Sequence, residues 1–227
     1  MTRCWYPLDV VRQLYAERVR QFGQDPQALY WKGRREQYLR LEVLADIEPC
    51  WENQSVLDVG CGFCDLVDVL RGRGFNGRYV GVDICDEVLR IGRARYPDLE
   101  ILNRDILAEP FNERFDYVMA SGTFNIRFCE DMPEFVDTML KAMFDRARVG
   151  VAVNYLSTYV DFRHPQAHHT DPAHIFHQAK MLTRRVLLRS DYMAYEFTLY
   201  LWRDDRIGPG HVFAAYNYYK DDKGEEQ

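Results

Sequence analysis

Ten residues constrain this chain more than any other stretch: Val56-Leu57-Asp58-Val59-Gly60-Cys61-Gly62-Phe63-Cys64-Asp65. The apolar lead-in over 55–59 predicts a short buried strand. Gly60 and Gly62 then permit a tight turn in which a ligand can approach the backbone, and a helix is expected over 65–70. The phosphate-binding pattern G-x-G-x-x-G is not met, because Asp65 stands where its third glycine would be. Carboxylates at Asp58 and Asp65 are poor neighbours for a pyrophosphate and tolerable ones for a cation.

The alternation of strand and helix continues downstream. Strands are expected over 79–82, 99–102, 115–120 and 149–153, and helices over 86–95 and 133–146. This spacing predicts a parallel sheet with helices on both faces. A polar segment follows Asn154 and leads to a helix over 172–182. Two β-rich runs, 185–192 and 195–202, lie about two residues apart and predict an antiparallel hairpin. Upstream, 8–22 sets Val11, Leu14, Tyr15, Arg18 and Phe22 near one helical face, and 34–47 sets Tyr38, Leu41, Leu44 and Ala45 on one side. The chain thus divides into a helical segment over 1–52, an α/β domain over 53–202, and a polar and aromatic C-terminal extension over 203–227.

In an open α/β sheet, ligands bind beyond the carboxyl ends of the strands, at the switch point. Asp83 ends the second strand, where an acid can accept the hydroxyls of a ribose. Asp105 stands in the same relation to the third strand, where it can accept from an exocyclic amine while Ile106 packs on a ring. The run DVGCG, then VDI, then RDIL, in this order, resembles the class I S-adenosylmethionine-dependent methyltransferases over about 53–202. The resemblance implies a Rossmann-like fold: a mostly parallel seven-stranded sheet with an antiparallel terminal hairpin. It also implies S-adenosylmethionine as cofactor. Asp58, Gly60, Cys61 and Gly62 would then flank the methionine moiety, and Asp83 would meet the ribose. Ile84, Asp105 and Ile106 would form the adenine pocket, and Ser121 and Gly122 would pass beneath the sulfonium. Cys64 departs from the family pattern by replacing a glycine. Cys61 and Cys64 read as small loop fillers, since no second ligand pair stands at zinc spacing.

Methyl transfer from a sulfonium needs an aligned acceptor and, for some acceptors, a base. The candidates follow strands four and five. Asn125 can bond an acceptor, position the methionine end, or be a plain turn residue. The strand-four loop lacks the Asn/Asp-Pro-Pro-aromatic motif of amino-methylating enzymes, which lowers the odds of a nucleic-acid base or protein amide. Asn154 and Tyr155 end strand five and are candidate substrate contacts. Five of the six histidines lie between 161 and 177, and His168 and His169 are candidate general bases. A divalent ion on His168, His169 and Asp171 is the weaker alternative, because loop neighbours do not define a ligand geometry; no metal is assigned. In the N-terminal segment, read as a lid, Arg35 and Arg40 are candidates to meet a carboxylate, and Arg40 is assigned to the cofactor.

Composition narrows the classes further. With 29 basic and 35 acidic residues the net charge is −6, which argues against a nucleic-acid surface. The basic residues comprise 24 Arg and 5 Lys, a bias that fits codon usage or an anionic ligand. There is no run of 18 apolar residues, so no membrane span is expected. The start lacks a signal-peptide core, and six dispersed cysteines are not a disulfide scaffold, so a reducing cytoplasm is expected. The sequence reading is therefore a methyltransferase acting on a small-molecule acceptor, oxygen before nitrogen. A natural-product intermediate or a polysaccharide sugar is the acceptor envisaged. It involves no nucleic acid or membrane and assigns no oligomeric state. The rivals are a non-catalytic S-adenosylmethionine-binding regulatory or partner subunit and a nicotinamide-dependent oxidoreductase. Asp58 and Asp65 beside the glycines disfavour the latter.

Overall fold

The structure is a computed structural model and describes residues 8–204. Seven strands form one sheet: β1 (Ser55–Val59), β2 (Arg78–Asp83), β3 (Glu100–Asn103), β4 (Phe115–Ala120), β5 (Ala147–Leu156), β6 (Arg185–Arg189) and β7 (Glu196–Trp202). The spatial order is β3-β2-β1-β4-β5-β7-β6. The first five strands pair in parallel, and β7 runs antiparallel to both β5 and β6. The order therefore reverses at β1, with β2 on one side and β4 on the other. That reversal opens a crevice at the strand ends.

The central strands are apolar runs because helices cover both faces. Leu57, Val80 and Val118 are buried in a core closed by α5 (Met132–Arg146) and α6 (Pro172–Leu182). On the other face Val56, Tyr79 and Met119 meet α2 (Arg34–Ala45) and α3 (Leu66–Gly72). A third cluster packs α1 (Leu8–Phe22) through Ala16 and Val19 against Val88 and Ile91 of α4 (Asp86–Arg95). In α5 the buried residues Phe135, Val136, Met139, Leu140, Met143 and Phe144 recur at helical spacing. Asp131 caps that helix by accepting from Glu134 N–H, and Pro133 sits in its first turn, where a missing N–H is harmless.

Two expectations are corrected in the C-terminal half. β5 is longer than expected, because it zips against β7 from Gly150↔Trp202 to Leu156↔Glu196. β6 stops at Arg189, so six residues, not two, join it to β7. Arg189 starts that connection with bonds to Asp191 and Asp46, and the extra length carries Met193–Tyr195 to the cleft. The aromatic run expected near the C-terminus lies outside the described residues. None of the described helices is long and apolar enough to cross a membrane.

Candidate functional site

The glycine loop sits at the carboxyl end of β1. Gly60 and Gly62 have φ of +69° and +57°, in the left-handed region where a side chain is strained. Gly60 N–H and Cys61 N–H donate to the Val82 carbonyl at 2.8 and 3.0 Å, which ties the loop to the end of β2. A Cβ on Gly60 would lie 2.5 Å from Thr123 Oγ1. That hydroxyl donates to the Val59 carbonyl at 2.9 Å, so Thr123 is not free to swing away. Cys64 also adopts a left-handed φ of +65°, the conformation a glycine would take without strain.

The acids divide by their partners. Asp58 is 3% exposed and accepts the Tyr79 hydroxyl at 2.5 Å. Burial, with Asp83 and Asp65 nearby, still pushes its carboxyl up to about 7. Asp83 Oδ1 accepts from Ile84 and Cys85 N–H at 2.7 and 3.1 Å, and Oδ2 from Gly62 N–H at 3.2 Å. Burial raises Asp83 from the ordinary carboxylate range, against those three backbone donors. Three of its roughly four acceptor directions are taken, which leaves Oδ2 room for a hydroxyl. Asp105 Oδ1 accepts from Leu107 N–H at 2.9 Å. Asp65 is different: it pairs with Arg95 at 2.7 Å and accepts from Gln37 Nε2 at 2.8 Å. Its charge is met inside the protein, so it is not a counter-ion waiting for a ligand, as the sequence suggested.

These elements wall one cleft of about 810 Å³. Asp58, Gly60, Cys61, Gly62, Asp83, Ile84, Asp105, Ile106, Ser121 and Gly122 all line it. Asp58 and Asp83 are raised by burial and make no ion pair among the described residues, so they form a site that a positively charged ligand would relieve. The donor set therefore fits a cationic, ribose-bearing cofactor. Among the described residues, no group of three His, Cys, Asp or Glu side chains is placed to hold a metal. Asp171 instead caps α6 through Ala173 N–H.

Other expected site residues take up different places. Arg40 lines the cleft, but its guanidinium is buried against Glu196, donates to the Glu36 carbonyl at 2.8 Å, and lies 5.0 Å over the Trp31 ring. It joins α2 to the start of β7 and is not an open carboxylate receptor. Asn154 is a clamp: its Oδ1 accepts from Gly122 N–H at 2.9 Å, and its Nδ2 donates to Ser121 Oγ at 3.1 Å. Tyr155 points to the opposite face, as strand alternation requires. It is stacked between Phe124 and Phe197 and stays away from the cleft. His168 and His169 do not line the cleft either. Burial brings His168 down to about 4 and also lowers His169. Arg35 is exposed and lies off the cleft. Asn125 does line it.

Sequence reasoning missed several residues the cleft uses. Trp31 covers Gly122 so closely that a Cβ there would meet the indole at 2.6 Å. Thr123, Arg127, His164, Met193 and Tyr195 also line it. The glycine at 60 marked a close approach to the backbone, but nothing local named Thr123 as a neighbour.

Comparison with known proteins bears on the family and the fold. Residues 56–145 match a family model described as a methyltransferase domain. The chain is 32% identical over 152 residues to a protein of Mycobacterium tuberculosis assigned as a methyltransferase, covering 64% of this chain and 90% of that one. It is 29% identical over 105 residues to the demethylmenaquinone methyltransferase of Chlorobaculum tepidum, covering 46% and 40% of the two chains. Among solved structures it resembles the magnesium protoporphyrin IX methyltransferase of Synechocystis with bound S-adenosylmethionine. The TM-score is 0.63 at 16% identity, over 87% of this chain and 97% of that one. DesVI of Streptomyces venezuelae superposes with a TM-score of 0.58 at 13% identity, over 73% and 92%.

Proposed function

This chain belongs to the class I S-adenosylmethionine-dependent methyltransferases, and on that premise we propose that it methylates a small-molecule acceptor, at oxygen first and nitrogen second. S-adenosylmethionine, when bound, supplies a methyl group already activated on a sulfonium sulfur. Asp58, Gly60, Cys61 and Gly62 would hold its methionine part, Asp83 its ribose, and Ile84, Asp105 and Ile106 its adenine. Ser121 and Gly122, braced by Asn154, would underlie the reacting centre. The protein's share of the chemistry is alignment and exclusion of water.

One observation carries the small-acceptor reading. The acid-rich glycine loop opens into the same roofed cleft as an apolar wall of Ile126, Phe128, Phe135 and Met139. At about 810 Å³ the cleft falls within the roughly 300–1,000 Å³ of small-molecule sites. That volume suits a cofactor with an acceptor the size of a natural-product intermediate or a single sugar. The relatives named for demethylmenaquinone and magnesium protoporphyrin IX point to the same class.

Calorimetric titration of the full chain tests the premise: S-adenosylhomocysteine should bind and NAD should not. Transfer of isotope-labelled methyl groups to a panel of small acceptors then tests turnover. Cofactor binding with no transfer across that panel would favour a regulatory binder.

A further inference from the structure

We infer that the acceptor is an anion with an apolar body, a carboxylate by class, anchored by Asn125, Arg127 and His164. This inference deepens the proposed function and rests on it. Asn125 Oδ1 accepts from the Leu156 backbone N–H at 3.1 Å. That bond fixes which way the amide faces, and its N–H groups remain to donate. His164 Nδ1 accepts from the Gln166 backbone N–H at 3.2 Å. A neutral His164 then carries its proton on Nε2, and the ring is a donor rather than a base. Arg127 stands at the cleft mouth and makes no ion pair among the described residues.

The remaining charges at this end do not cancel that polarity. Arg40 and Glu196 neutralise one another. Glu36 and Lys32, of opposite charge, both line the cleft. Tyr195 donates its hydroxyl to Asp161. The anchoring donors are also pre-set. Arg127 N–H donates to the Gln166 carbonyl at 2.8 Å, and His168 N–H donates to the Asn125 carbonyl at 3.0 Å. The two segments are thus held together as one short antiparallel bridge at Ile126↔Ala167. A carboxylate accepts from a guanidinium and from neutral N–H donors at once, and charge-assisted bonds of this kind are the strong ones. A cationic amine would meet like charge, and an amide would offer half the acceptor capacity.

The test uses the full chain saturated with S-adenosylhomocysteine. The probes are benzoate, 3-phenylpropanoate and 2-naphthoate, each against its primary amide and the matching aryl-methylamine, read by ligand-observed NMR and calorimetry. At least one carboxylate should bind about tenfold or more tighter than its amide, the expected scale of one charge-assisted contact. Asn125→Asp keeps the bond from Leu156 N–H but replaces donors with a charge, and Arg127→Gln removes the cation. Each should abolish the preference while S-adenosylhomocysteine affinity stays within about twofold, the anchor lying apart from the cofactor's acids. Equal affinity for carboxylate and amide overturns the inference, as do preference for the amine, no carboxylate binding by the loaded protein, or a preference that survives both substitutions. Failure of S-adenosylhomocysteine itself to bind would instead overturn the proposed function.

Discussion

Where β1, β2 and β3 end, the cleft is walled by short consecutive runs: Asp58 to Gly62, Asp83 with Ile84, and Asp105 with Ile106. Where β4 and β5 end and β7 begins, it is walled by segments far apart in the chain: Trp31, Asn125 to Phe128, Leu156, His164 with Gln166 and Ala167, and Met193 to Glu196. The first end gathers carboxylates raised by burial, and the second gathers donors turned toward the cleft by backbone N–H groups that fix their other side. A methyl-transfer cleft asks for this split, because a cation must sit beside an electron-rich acceptor. The contrast also shows that polarity can be set by different means. At one end a charged side chain is placed outright, and at the other a backbone N–H decides which way an amide or imidazole faces.

The largest expected effect tests the acidic end. Asp83→Ala removes a half-buried carboxylate that also holds Gly62, Ile84 and Cys85 N–H. Cofactor affinity should fall by about 2 kcal/mol or more, roughly 30-fold. Unchanged affinity by calorimetry would mean the acidic end is misassigned. Gly60→Ala should cost about 2 kcal/mol of stability in chemical denaturation, from left-handed strain and the 2.5 Å approach to Thr123. Adding Thr123→Ala should recover part of that loss; no recovery would argue against the steric reading.

A smaller effect follows from the raised carboxyl of Asp58. Its folded-state value of about 7 lies above its ordinary 3.8, so the ligand-free protein loses this group's stability as pH rises from about 4 through 7. A cationic ligand favours the ionised form, so S-adenosylmethionine should bind up to about tenfold tighter at pH 8 than at pH 6. Asp58→Asn should flatten both the melting-temperature and the affinity profiles. A pH-independent wild-type affinity would contradict the charge balance drawn between the two ends.

Asn154→Ala bears on the seam between the ends. It leaves Gly122 N–H and Ser121 Oγ without their partner and should destabilise by about 1 kcal/mol. Turnover should fall with little change in cofactor affinity; an equal loss of both would make Asn154 part of the acidic end. The smallest effect is expected at Cys64→Gly. Relief of left-handed strain, about 1 kcal/mol, offsets loss of a fully buried thiol. Equilibrium denaturation should show a net change under about 1 kcal/mol.

The acidic end was legible because its residues are local. Asp58, Gly60, Gly62, Asp83 and Asp105 each sit within three residues of a strand end, where hydrophobic periodicity and glycine spacing mark them. Strands and helices were legible for the same reason, with errors only where tertiary pairing intervened, as in the early end of β6. The other end was misread wherever a partner far along the chain decided the outcome. Arg40 looked free until Glu196, 156 residues away, met it. Tyr155 and Asn154 looked equivalent until the pleat sent one into an aromatic stack and the other to Gly122. His168 and His169 looked the best placed of five loop histidines, yet of the five it is His164 that lines the cleft.

The sequence by itself determined the alternating α/β order, the glycine loop and its acids, and through them the cofactor. Those depend on φ preference, apolar periodicity and side-chain charge, all carried by neighbouring residues. Tertiary structure alone decided which donors face the acceptor and which charges are spent internally. Those outcomes depend on which groups from separate segments come within hydrogen-bond reach once the sheet has closed.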